Sequence, residues 1–164
     1  MQFEFDAETG VITDKVTGER CVILTQARMQ DILSRLSDIF QTGATVIIFE
    51  ASKAAGERFA KEARDMKKAG IQELLNTTVQ RFTEAGLGKI EVTEASLEKG
   101  EVKFRIWNNF FAEIKNKEGT TYCNCIEGFV SGMYGQIMSI TPTIQKTKCT
   151  ANGDPYCEWH ITLK

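Results

Sequence analysis

Apolar residues recur along this chain in two rhythms, one helical and one alternating. Met29, Ile32, Leu33, Leu36, Ile39 and Phe40 fall at helical spacing, with Thr25 placed to cap the segment and Gly43 to stop it. That pattern predicts an amphipathic helix of about four turns. Before it, Phe3–Phe5, a turn at Glu8–Gly10 and Cys21–Leu24 read as a short β-meander. After it, the apolar run Ala44–Phe49 reads as a strand, and Ser52–Lys68 reads as a charge-rich helix broken at Gly70. Ile71, Leu74, Leu75, Val79 and Phe82 then trace a third helix to the stop at Gly86-Leu-Gly88.

The second half alternates apolar with polar residues. Ile90–Thr93 and Glu101–Trp107 flank the turn residues Glu98-Lys-Gly100, a hairpin signal. A helix from Tyr122 to Ser139 follows, then strands Thr143–Cys149 and Cys157–Leu163 around a polar loop. Gly128, Gly132 and Gly135 interrupt that helix. Each costs about 1 kcal/mol relative to alanine, so another element or a ligand is expected to approach its backbone closely. No repeat or linker divides the chain, and a single domain over residues 1–164 is expected.

Charge narrows the function classes. Twenty basic against twenty-two acidic residues leave a net charge of −2, with Lys67-Lys68 the only adjacent basic pair, so no nucleic-acid groove is expected. There is no signal-like start and no apolar run of about 18 residues. The chain is therefore expected to be soluble and cytoplasmic, with no membrane span. An odd count of five cysteines fits thiols or metal ligands better than disulfides in such a compartment.

Three of those cysteines are arranged Cys123-x25-Cys149-x7-Cys157. Cys149 and Cys157 flank Thr150–Tyr156 and would face each other across a hairpin, close enough to share one metal ion or one disulfide. Cys123 would reach them from the preceding helix. Alternation sets Cys157, Trp159, Ile161 and Leu163 on one strand face and Glu158, His160 and Thr162 on the other, which excludes His160 as a partner of Cys157.

The string Cys123-x4-Gly128-x3-Gly132, followed by Cys149-x3-Gly153-Asp154-x2-Cys157, resembles the 4-vinyl-reductase domain family. That family includes aromatic-sensing input domains of bacterial transcription activators and stand-alone hydrocarbon-binding proteins. Its fold is similar to that of the vesicle-tethering TRAPP subunits and of haem-based nitric-oxide sensors. The match is concentrated in residues 120–164; upstream it rests on helix order and Gly56. The resemblance implies an α/β (α+β) domain, with N-terminal helices packed on an antiparallel sheet and a C-terminal helix followed by a β-hairpin. It also implies an enclosed hydrophobic pocket and a structural zinc.

In the aromatic sensors the zinc ligands are three cysteines, matching Cys123, Cys149 and Cys157, and a glutamate three residues before the second. This chain has Lys146 at that position. Cys125 is the candidate replacement, because zinc takes sulfur ligands readily. It reaches the same ion only if Cys123 precedes the first helical turn. Phe104, Trp107, Phe110, Phe111, Phe129, Met133 and Tyr134 are the candidate pocket lining.

Catalytic machinery is not visible. One histidine supports no Ser-His-Asp or Cys-His set, and Gly86-Leu-Gly88-Lys89 lacks the residues of a phosphate loop. No dinucleotide fingerprint or iron–sulfur pattern is present, and neither nucleotide nor haem is expected. The expected function is a sensory or carrier domain for a hydrophobic, aromatic-class small molecule, regulating a partner and forming a homodimer through the Thr25–Gln41 helix. The alternatives are an accessory role in tetrapyrrole vinyl-group reduction and a structural assembly subunit without ligand.

Overall fold

The two alternating regions form separate antiparallel sheets. The computed structural model describes residues 2–67, 71–96 and 100–162. The N-terminal meander pairs β1 (Phe3–Asp6), β2 (Val11–Asp14) and β3 (Arg20–Cys21) in that order. Its first turn is held by the Asp6 carboxylate, which accepts from the Glu8 N–H and the Thr9 hydroxyl. β3 is shorter than the sequence predicts: Val22, Ile23 and Leu24 leave the sheet and lie exposed.

Helix α1 (Gln26–Phe40) is capped as expected, the Thr25 hydroxyl accepting from the Arg28 N–H. It ends where Gln41 takes φ 48°, and α2 (Thr42–Lys67) starts at once. The expected strand Ala44–Phe49 is therefore the first turns of α2. Ala44 and Ile48, four apart, are buried while Val46 and Ile47 are exposed, which is helical rather than alternating burial. A six-residue apolar run does not distinguish the two by periodicity alone. Helix α3 (Ile71–Glu84) follows. The expected break at Gly70, the turn residues Glu98 and Lys99, and the strand end at Leu163 lie outside the described residues.

β4 (Lys89–Ser96), β5 (Glu101–Trp107), β6 (Thr143–Lys148) and β7 (Cys157–Thr162) form the second sheet in the order β4-β5-β7-β6. Between β5 and β6 run the short α4 (Phe110–Glu113), which the sequence did not announce, and α5 (Asn124–Met138). α4 is capped by the Asn109 side chain, which accepts from the Phe111 N–H. The architecture is α+β, with helices on the inward face of β5 and β7. Val102, Phe104 and Ile106 meet Cys157, Trp159 and Ile161 there, all buried, and Phe104 stacks on Trp159 at 5.2 Å.

Two interactions fix the helices. A Cβ added at Gly56 would sit 2.0 Å from the Phe129 carbonyl oxygen, at Gly132 2.0 Å from that of Lys53, and at Gly128 2.3 Å from that of Phe49. The element approaching Gly128 and Gly132 is thus α2, backbone against backbone, whereas the expected close approach at Gly135 is absent, its nearest atom being the Ile140 carbonyl oxygen at 3.4 Å. At the end of α3, Arg81 donates to Asp14 of β2 at 2.7 Å, both side chains largely buried.

Candidate functional site

The hairpin and the start of α5 converge on three buried thiols. β6 and β7 run antiparallel with Lys148 opposite Glu158, so the next positions, Cys149 and Cys157, stand across the hairpin. The intervening loop is tied by Asp154, whose carboxylate accepts from the Cys149 N–H at 2.8 Å, and turns through Gly153 at φ 94°. Cys123 enters as the residue before α5. Its Sγ lies 3.8 Å from that of Cys149, and Cys157 Sγ lies 4.0 Å from Cys149 Sγ. All three sulfurs are within 4.8 Å of one another.

Four ligands at a zinc–sulfur distance of ~2.3 Å occupy a tetrahedron with edges of ~3.8 Å. The Cys123–Cys149 and Cys149–Cys157 separations, 3.8 and 4.0 Å, match that edge length. The surroundings suit anionic sulfur: the Thr150 N–H donates to Cys157 Sγ at 3.4 Å with the Thr150 hydroxyl at 3.4 Å. Thr121 donates to Cys123 Sγ at 3.4 Å. The Cys157 thiol is held well below the ordinary thiol range, chiefly by its hydrogen bond with Cys123, then by Thr150. Cys123 is pushed up by that same bond and by burial. One sulfur of the pair is thus set up to be a thiolate, the form that binds metal.

Cys125 does not join them. Cys123 already has helical dihedrals (φ −58°, ψ −21°), so residues two apart diverge around the helix. Cys125 instead packs with Leu33, Ala44, Ile48, Ile114 and Tyr122 in a second cluster. Lys146 is exposed, opposite Trp159 in the register.

The second feature lies between α3, α5, β4 and β5. An apolar void of about 20 Å3 is ringed by Leu75, Thr78, Val79, Ile90, Val92, Phe104, Val130, Met133 and Tyr134. Three of the seven sequence-derived pocket residues, Phe104, Met133 and Tyr134, line it. Phe129 turns the other way, edge-on to Phe59 at 5.6 Å in an open groove of about 200 Å3. Phe110 and Phe111 pack on each other beneath α1, and Trp107 leans on Tyr156 near Lys89. The α3 and β4 walls were missed; their signal, Leu75 and Val79 at i and i+4, is that of any amphipathic helix. Burial raises the Tyr134 phenol well above its usual range, so it stays a neutral donor.

The sole histidine, His160, faces away from this interior on β7, and its Nε2 is buried without a partner among the described residues. A histidine-ligated haem does not fit that placement. Among the described residues no helix is long and apolar enough to cross a membrane.

No family model and no curated protein matches this chain. Solved structures do. The phenol-responsive sensory domain of the transcription activator PoxR, solved with phenol, superposes at TM-score 0.81 with 17% identity, covering 99% of this chain and 85% of that one. Trafficking protein particle complex subunit 3 from Naegleria fowleri, covalently bound to palmitic acid, gives 0.64 with 14% identity over 85% of this chain and 92% of that one. An H-NOX protein from S. oneidensis in the Fe(II)NO ligation state gives 0.58 with 13% identity over 87% and 78%. The chain has the fold that these three proteins share.

Proposed function

We propose that this chain is a one-domain, small-molecule-binding sensory module whose ligand chamber opens beneath α3. The observation that carries the reading is the apolar void between α3, α5 and the sheet. Its lining is apolar apart from the Thr78 and Tyr134 hydroxyls, which supports binding of an apolar molecule. At about 20 Å3 it is close to the minimum for one water, so a ring-sized ligand requires a wall to move. α2 and α5 are locked by their glycine contacts, and β5 is held between β4 and β7. α3, held by side chains, is the wall that can yield.

The fit is to a small hydrophobic molecule with one polar group that pairs with the Tyr134 hydroxyl. The shared fold with a phenol-responsive domain supports an aromatic alcohol as the first probe. A zinc ion held by Cys123, Cys149 and Cys157 would pin the hairpin to α5, a structural role. A second copy is the proposed partner for the exposed apolar face of Ile32, Ile39, Phe40, Val46 and Ile47, continued by Val22 and Ile23. Together these side chains expose several hundred Å2, the scale of one side of a standard interface. Five free thiols support a reducing, cytoplasmic setting.

The test is calorimetric titration with phenol, cresol and toluene, with hydrogen exchange read on α3. Saturable binding, slowed exchange in α3 and about fivefold weaker phenol binding by Tyr134→Phe are expected, the worth of one hydrogen bond. No saturable binding by any of the three, with α3 exchange unchanged, would overturn the reading. That outcome favours the second reading, an assembly subunit with a filled interior, to which the void's small size already points.

A further inference from the structure

Three phenyl rings meet where α2, α3 and α5 come together. Phe59 lies edge-on to Phe129 at 5.6 Å, and Phe82 tilts against Phe129 at 6.3 Å. With Leu87 they wall the open groove of about 200 Å3, whose rim includes Phe3 and Asp14 of the meander. No residue lines both this groove and the void, so the two spaces are distinct.

Arg81 gives the groove its polar end. Its guanidinium lies 5.3 Å from the Phe59 ring centroid, and its Nη2 donates to Asp14 Oδ2 at 2.7 Å. The other Asp14 oxygen accepts from the Val16 N–H at 2.8 Å, so each oxygen of that carboxylate already has a donor. A guanidinium carries five N–H donors. Beyond Asp14, Arg81 has no acceptor among the described residues, although its side chain is only 18% exposed. Spare donors beside an apolar wall are served best by an acceptor that brings its own apolar body, because that molecule covers the rings as well.

Charge decides the kind of acceptor. Asp14 already neutralises Arg81, and Glu84 adds a second negative charge to the lining. An anionic head group would meet a net negative rim, and a cation would face Arg81. A neutral carbonyl oxygen takes the spare N–H groups without adding charge, while an aromatic body packs against the phenyl rings.

We propose that this groove is a second ligand site, taking a neutral aromatic molecule that bears a carbonyl group, an aryl ketone, aldehyde or amide, whose oxygen accepts from Arg81. The inference stands apart from the void and does not need it to open.

The experiment is calorimetric titration of the full chain with acetophenone, compared with benzoate and benzyltrimethylammonium. Three variants locate the bound ketone. Arg81→Lys keeps a cation opposite Asp14 but loses the planar fork of donors. Ala85→Trp fills the groove from an exposed position, and Tyr134→Phe alters the void alone. Thermal melts check that each variant folds. The expected result is saturable acetophenone binding, about tenfold weaker in Arg81→Lys, lost in Ala85→Trp and unchanged in Tyr134→Phe. Intermolecular NOEs from the ketone to the Phe59 and Phe129 rings are expected as well, and they decide the matter with Ala85→Trp if Arg81→Lys does not fold. Binding weakened by Tyr134→Phe but not by Arg81→Lys would put the ketone in the void and overturn the groove site. Absence of saturable acetophenone binding by the unaltered chain would also overturn it. Tighter binding of benzoate or benzyltrimethylammonium than of acetophenone would overturn the assignment of a neutral ligand.

Discussion

Replacing Gly132 and Gly135 by alanine, one at a time, should move stability in opposite directions. A Cβ at Gly132 would lie 2.0 Å from the Lys53 carbonyl oxygen and 2.8 Å from its carbon. Backbone cannot rotate aside as a side chain can, so relief requires α2 and α5 to part by roughly 1 Å. A gap of that size forfeits a quarter to a half of the dispersion energy along the seam, and overpacking of this kind costs about 1–3 kcal/mol or more. Alanine returns up to ~1 kcal/mol of helix propensity, leaving a net loss of up to about 2 kcal/mol. For a chain of this size each kcal/mol shifts the melting temperature by about 2–4 °C. Gly132→Ala should therefore melt lower, by up to about 8 °C. At Gly135 the nearest atom, the Ile140 carbonyl oxygen, is 3.4 Å away, so the propensity gain dominates and Gly135→Ala should melt at or about 2 °C above the parent. Calorimetric melts of the three proteins decide the matter: if the two variants shift alike, the seam is not the backbone contact described here.

Two further outcomes follow from burial. Ile39→Glu should convert a dimer to a monomer at micromolar concentration in native mass spectrometry, and a parent chain that is already strictly monomeric removes the proposed interface. Burial pushes the Cys125 thiol up to about 11, whereas the unfolded thiol ionises near ~8.5. Its contribution is thus complete below about pH 8.5 and fades as pH rises toward 11, by at most ~3 kcal/mol. Urea titrations at pH 7.5 and 10.5 should show the advantage of the parent over Cys125→Ala shrinking by about 2 kcal/mol, and a constant difference would rule out this account.

The parts legible in the sequence were those set by short-range geometry. Strand alternation put Cys157 and Trp159 inward and His160 outward, and Thr25 announced its helix. Cys149 and Cys157 met because a hairpin leaves them little choice. The errors lie where tertiary contact decides. Ala44–Phe49 is helical because Ala44 and Ile48 bury against α1 and Tyr122, a partner the local pattern does not reveal. Cys125 departs from the trio because Cys123 has already entered the helical turn. Gly128 and Gly132 signalled close approach, but only the folded structure identifies α2 as what approaches.

The ion pair between Arg81 and Asp14 gives the proposed wall motion somewhere to go. An outward swing of α3 would pull on β2 through a largely shielded tether, and β2 is hydrogen-bonded to β3, which runs into the bare Val22–Leu24 stretch. Occupancy inside would then be reported at the edge of the surface where a second copy is proposed to sit, making the meander a transmission arm and Arg81 its coupling pin.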